Sequence, residues 1–232
     1  MIYNAMKKFL MPLLVIPALM IASCGEPLPE DGVHKINEVK TKTVTATEWG
    51  QWVYFSFETD DVVGTGATTL AEDALWAVRT DWDIAFHKGY IKTNSGTSGS
   101  GMGGVIEMGT GAPTYVGGRD ITFNVLTLAP VTGYVLDAIS EDYGKQGIIT
   151  GISPVAFYKG SYSKTMSAWT IFSPDVLQYT VFYQKVFVLK TANGKYVKLY
   201  LTGFTDKFDE NQGTITFSYV YQADGSISLK SQ

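Results

Sequence analysis

From Lys42 onward the chain alternates short runs of Val, Ile, Thr, Tyr, Phe and Trp with clusters of Gly, Asn, Asp and Pro. Branched and aromatic side chains fill a pleated surface, whereas glycine and asparagine take up turn conformations, so the pattern predicts strands joined by turns. The runs Trp52 to Phe57, Trp82 to Lys92, Ile121 to Leu128, Tyr179 to Lys190, Tyr196 to Phe204 and Thr214 to Tyr221 are the predicted strands. Within one of them, Val197, Leu199 and Leu201 alternate with Tyr196, Lys198 and Tyr200, a period of two that predicts a core face and a water face. Asn193-Gly194 ahead of that run predicts a tight type I′ turn, with positive φ at both central positions, and Asp224-Gly225 predicts a second hairpin. Only Leu70 to Arg79 is predicted helical. Thr69 with Glu72 three residues on fits a capping box, and Leu70, Ala74, Leu75 and Val78 fall on one face. There is no repeat of fixed period, and the chain predicts one all-β domain with one short helix.

The longest apolar run, Phe9 to Ala22, lies outside this pattern. Lys7 and Lys8 precede it and Ile21-Ala22-Ser23-Cys24 closes it. It falls short of the ~20 apolar residues of a membrane span and ends in small residues suited to a peptidase, so it predicts a signal peptide. A plain secretory signal would leave the single cysteine without a role. A lipobox explains Cys24 as the site of a thioether diacylglycerol which, with an acyl chain on the freed amine, supplies the two or more chains of stable anchoring. Residues 1–23 are then the leader and 24–41 an acidic tether containing Gly25 to Gly32, GEPLPEDG, extended and solvated. Residues 42–232 form the domain. Membrane contact is expected through the lipid alone.

Loss of the leader removes Lys7 and Lys8 from 18 basic residues, leaving 16 against 22 acidic ones, and moves the formal charge from -4 to -6. With no basic stripe to neutralise several phosphates, nucleic acid is excluded as a partner. Catalytic patterns are equally thin. Gly99-Ser100-Gly101-Met102-Gly103-Gly104 has GxGxxG spacing, but the following Val105 to Thr114 carries two glycines and a proline rather than the helix a pyrophosphate needs. Such a loop predicts instead a close passage of backbone past backbone. No GxSxG, CxxC or HExxH occurs, and the two histidines are His34, beside the tether, and His87, in a strand pattern that predicts a structural role. Asp60 with Asp61, or Asp73 with Asp83, leave a carboxylate hydrolase as a remote alternative, with turn chemistry and capping the simpler account. The chain is therefore expected not to be an enzyme.

The stretch Asp81-Trp82-Asp83-Ile84-Ala85-Phe86-His87-Lys88, followed by Ile91 to Gly99 and Gly103-Gly104, resembles the signature of the HmuY-like haem-binding lipoproteins of Bacteroidetes. The likeness extends to Trp52 to Phe57, to Lys185 to Leu189 and to Gly213 to Tyr219, most of the mature domain. It implies two twisted antiparallel sheets with a haem pocket between loops at one end, and delivery of haem to a TonB-dependent outer-membrane receptor. Glu26, Glu30 and Asp31 resemble the acidic signals that carry such lipoproteins to the outer face of the outer membrane.

The resemblance also implies where haem iron would be held. The best-known member of the family uses two histidines. Aligning Trp169 and Phe172-Ser173 with its corresponding residues puts one histidine position at Pro174 and the other near Asp142 or Tyr143. Other members use methionine pairs, which points to Met166, in the segment leading into Trp169, with the Tyr143 phenolate as a second candidate. Tyr158, Tyr162, Trp169 and Phe172 are candidate pocket walls, although aromatics at this density also build all-β cores, and Met166 also fits a gap-filling core role. The competing expectation is a surface lipoprotein that kept the fold but lost haem, and binds a glycan, a peptide or a partner protein.

Overall fold

The computed structural model describes residues 37–48, 50–108, 118–140, 160–173, 178–181, 185–204 and 213–231. Thirteen strands and three helices are placed within them, in the order β1 (Lys40–Thr45), β2 (Gln51–Ser56), β3 (Asp61–Ala67), α1 (Leu70–Ala77), β4 (Ile84–His87), β5 (Tyr90–Thr93), β6 (Gly104–Glu107) and α2 (Gly118–Val125). There follow β7 (Ala138–Ser140), β8 (Gly160–Tyr162), α3 (Lys164–Ser167), β9 (Thr170–Ser173), β10 (Gln178–Val181), β11 (Val186–Lys190), β12 (Tyr196–Phe204) and β13 (Thr214–Gln222). The fold is all-β, as the pattern predicted. A five-stranded sheet runs β1-β13-β12-β11-β6 and a four-stranded sheet β3-β2-β4-β5, with β7–β8 and β9–β10 as two-stranded ribbons. Every pairing is antiparallel.

The two large sheets face each other across one core. Val53, Phe55, Phe86 and Ile91 from the four-stranded sheet meet Phe187, Leu199, Phe217 and Tyr219 from the five-stranded one. Phe55 and Phe86 each lie 5.5 Å from Phe217, ring centre to ring centre, and Phe57 lies 4.9 Å from Tyr219. The continuous apolar runs in β2 and β11 arise because the outer faces are covered as well. Trp52, Tyr54, Trp82 and Ala85 on the back of the four-stranded sheet pack with Trp76 of α1. Phe123 of α2 packs with Val186 and Val220, and Leu229 with Val188, over the back of the five-stranded sheet.

That outer layer corrects several expectations. The run Ile121 to Leu128, predicted as a strand, contains the last turns of α2, and with α3 the described residues hold three short helices where one was predicted. Phe123, buried, and Leu126, partly buried, are three residues apart and meet the sheet together; a short apolar run fits either period, and here packing decides for the helix. The face of β12 predicted to meet water is covered. Lys198 is fully buried, and its ammonium donates to the carbonyls of Phe123 at 2.7 Å and Leu126 at 3.0 Å and to Ser231 Oγ at 3.3 Å, so it caps α2. Burial lowers its pKa to about 8.

α1 is where it was predicted, with Thr69 accepting from the Glu72 amide at 3.2 Å. Its inward residue differs. Leu70, Leu75 and Val78 are exposed, and Trp76 turns inward instead, stacked on Tyr54 at 3.7 Å with its indole donating to Glu72 at 3.1 Å. The run Trp82 to Lys92 is two strands, β4 and β5, joined at Lys88, which takes φ 51° ahead of Gly89. At the Asn193-Gly194 hairpin, only Gly194 has positive φ, at 80°, and its amide donates to Thr191 at 3.0 Å. That is a type I turn followed by a left-handed glycine, not type I′. The turn at Asp224-Gly225 forms, but the chain beyond pairs with the 127–129 segment through Leu128 and Ser228 and not back onto β13.

Candidate functional site

The stretch from Asp81 to Gly104 ties the sheets together. Trp82 is fully buried and donates from its indole to Trp76 O at 3.0 Å. Asp83 accepts from the amides of Phe57 at 2.8 Å and Ala192 at 2.9 Å, linking the ends of β2 and β11. Burial raises its pKa to about 6, against those hydrogen bonds. Asn94 is fully buried and donates to the carbonyls of Arg79 and Trp82, both at 2.9 Å, while its own oxygens accept from Gly101 and Gly103. The glycines are needed for contact: a Cβ on Gly101 would stand 2.8 Å from Ala192 Cα, and one on Gly103 would overlap Asn94 O. The loop is thus the close backbone passage its composition predicted. His87 is buried and donates from Nδ1 to Gln51 O at 2.9 Å; burial lowers its pKa to about 4, so the ring is neutral and structural.

The carboxylates weighed as acid and base have separate duties. Asp73 pairs with Lys92 at 2.6 Å, and the Lys92 ammonium also lies over the Trp52 ring at 4.2 Å. Among the described residues no group of three His, Cys, Asp or Glu could hold a metal ion, and no helix is long and apolar enough to cross a membrane.

The candidate residues fall in the stretch of sequence between β7 and β10. Its first foot is Asp137, buried just before β7, whose carboxylate accepts from the Thr93 amide at 2.8 Å and the Thr93 hydroxyl at 2.7 Å. Burial raises the Asp137 pKa to about 7. Its second foot is the segment from Ser163 to Trp169. The Ser163 amide donates to Ile91 O at 2.9 Å, and Ser167 Oγ accepts from the Ile91 amide at 2.9 Å. Both feet stand on β5, the edge of the four-stranded sheet, and satisfy backbone groups that would otherwise face outward there. α3 packs against both β5 and β6 and so lies where edge strands of the two sheets approach.

Met166 and Trp169 are thereby brought together in the main core, both at 0 % exposure. The Trp169 indole donates to Gly89 O at 2.9 Å. Met166 sits in a helical turn capped by Ser163, whose Oγ accepts its amide at 3.3 Å, and not in an open loop. Tyr162 is buried on the other side, in the cluster of Trp52, Trp76 and Trp82, with its ring 5.9 Å from Tyr90. The Phe172 backbone pairs with Tyr179 across the β9–β10 ribbon. Cys24, Tyr143, Tyr158 and Pro174 lie outside the described residues. Sequence reasoning missed Asp137, Ser163 and Ser167. The lone acid in Val135-Leu136-Asp137-Ala138-Ile139 was a signal for the first; isolated serines give none.

A family model described as HmuY protein matches residues 48–219. Comparison with curated proteins gives no match. Among solved structures, a Bacteroides vulgatus protein named as HmuY-like and haem-binding is 23% identical, covering 80% of this chain and 92% of its own with a TM-score of 0.53. An apo HmuY analogue from Tannerella forsythia is 20% identical, covering 82% and 99%, with a TM-score of 0.51. A Bacteroides fragilis protein named as a lipoprotein is 20% identical, covering 80% and 91%, with a TM-score of 0.54. These likenesses concern the fold.

Proposed function

The chain belongs to the HmuY family, and from that premise we propose that it is a lipid-anchored haem-binding protein which takes up haem at the cell surface and passes it to a TonB-dependent outer-membrane receptor. The observation that carries the reading is the placement of α3. It sets a soft thioether donor, Met166, beside Trp169 where the edges of both sheets approach, between β8 and β9 in the chain. Met166 would be the residue that holds the haem iron, and its soft sulfur would favour the ferrous state, since it donates better to the electron-richer ion. Tyr143 is the alternative donor, and Tyr158, Tyr162, Trp169 and Phe172 are the proposed walls. The names borne by the Bacteroides vulgatus and Bacteroides fragilis neighbours, haem-binding and lipoprotein respectively, support the reading. The acidic residues that follow the cysteine support an outward-facing position on the outer membrane.

The test is titration of protein lacking residues 1–24 with haem, first oxidised and then reduced. The expected result is a shifted Soret band with tighter binding and a low-spin spectrum on reduction. No Soret shift in either state overturns the reading. It would favour the competing one, a HmuY-fold surface lipoprotein that binds a glycan, a peptide or a partner protein. The burial of Met166 and the engagement of His87 with Gln51 are the observations on that side.

A further inference from the structure

Met166 is the candidate ligand, yet its side chain is wholly inside the core. A thioether with no exposed surface cannot reach the iron of a ligand as broad as a porphyrin unless the segment that carries it moves. Besides core packing and the Trp169 bond to Gly89 O, that segment is held by a small set of bonds to one strand. The Ser163 amide donates to Ile91 O at 2.9 Å. Ser167 Oγ accepts from the Ile91 amide at 2.9 Å and approaches Ile91 O at 3.4 Å, so the two serines together occupy both backbone groups of Ile91. Ser163 Oγ caps the turn by accepting the Met166 amide, and the Ser167 amide donates to Ser163 O at 2.9 Å. Met166 lies between the two serines in sequence and is aimed into the core by both.

We propose that Ser163 and Ser167 are positioning residues that latch α3 onto the edge of β5 and keep Met166 in the core until haem binds, so that the strength of this latch sets the apparent affinity for haem. This rests on Met166 as ligand, which is part of the proposed function. The physical basis is a population argument. If only the unlatched fraction can ligate iron, the apparent dissociation constant is the intrinsic one divided by that fraction. Removing the Ser167 hydroxyl orphans the Ile91 amide in the latched state and so enlarges that fraction, by about tenfold for a hydrogen bond to a buried backbone group.

Two readouts separate the latch from the function. The first needs no haem: exposure to peroxide, with sulfoxide at Met166 measured by peptide mass spectrometry relative to Met102, which is 59 % exposed and far less dependent on opening. The second is haem titration under reducing conditions. In Ser167→Ala, Met166 oxidation relative to Met102 should rise about tenfold and haem affinity by a similar factor. Ser163→Ala keeps the amide bond to Ile91 O and loses only the Oγ cap on the Met166 amide, so it should act in the same direction by a smaller factor, and Ser167→Thr, which keeps the hydroxyl, should keep oxidation slow. Unchanged Met166 oxidation in folded Ser163→Ala and Ser167→Ala overturns the latch. Faster oxidation with unchanged or weaker haem affinity overturns its coupling to haem. A wild-type protein that binds no haem defeats the functional reading, and the oxidation readout still decides the latch.

Discussion

At the scale of single residues, burial decides what a side chain can do here. Met166 takes the core role that its residue type also allowed, at 0 % exposure among core residues. Met166→Ala should therefore lower unfolding stability by about 2–5 kcal/mol, the range for large-to-small changes in a core, measurable by urea unfolding. Any loss of a haem spectrum in that variant has to be compared at a temperature where it is folded. Asp137 gives the second prediction. Its pKa is raised to about 7 by burial, so the folded state holds a proton that the unfolded chain releases near 3.8. The stabilisation is complete below that lower value and is lost as pH rises through about 7. Asp83, raised to about 6, acts in the same sense. His87, lowered to about 4, acts in the opposite one, its contribution being lost as pH falls from 6.5. In thermal melts from pH 4 to 7.5, wild type should lose stability relative to Asp137→Asn as pH rises; parallel curves would reject the assignment.

At the scale of elements, close contacts between backbones fix where loops and helices go. Gly103 passes so near the Asn94 carbonyl that no side chain fits, and the opposing atom is backbone within a turn held by further hydrogen bonds. Gly103→Ala should cost about 1–3 kcal/mol, the usual penalty of forced overpacking, while the exposed Asn193 in the neighbouring turn should tolerate Ala with a far smaller loss. α2 depends on one cation. Lys198 satisfies the carbonyls of Phe123 and Leu126, and nothing apolar can replace those bonds. In Lys198→Met, hydrogen exchange should quicken across 118–126 while β11 and β13 keep their protection. Uniform loss over the whole sheet would instead make the lysine part of the global core.

For the molecule as a whole, the proposed lipid site, Cys24, lies outside the described residues of the domain. Replacing Cys24 by Ser removes the thiol that the modifying enzyme alkylates, so a labelled fatty acid should be incorporated into wild type and not into Cys24→Ser. The domain itself should melt identically in both, because its described strands begin only at Lys40. Label retained by the variant would defeat the anchoring proposal.

The sequence by itself determined the all-β class, the positions of α1 and most strands, and the Asn-Gly hairpin, because alternation, turn residues and capping act between neighbours along the chain. It also carried the family likeness, in the segment from Asp81 to Gly104, although Asp83 and Gly101 there meet residues distant in sequence, Phe57 and Ala192. Tertiary structure alone decided that 118–125 is a helix, that Lys198 is buried, that Trp76 displaces three aliphatic residues as the inward side chain of α1, and that Met166 lies in the core behind two serines. The physical reason is common to all four. Each depends on a surface supplied by residues distant in sequence: the outer face of a sheet for α2 and Lys198, the Tyr54 ring for Trp76, and the exposed edge of β5 for α3. No short-range period records whether such a surface will be there.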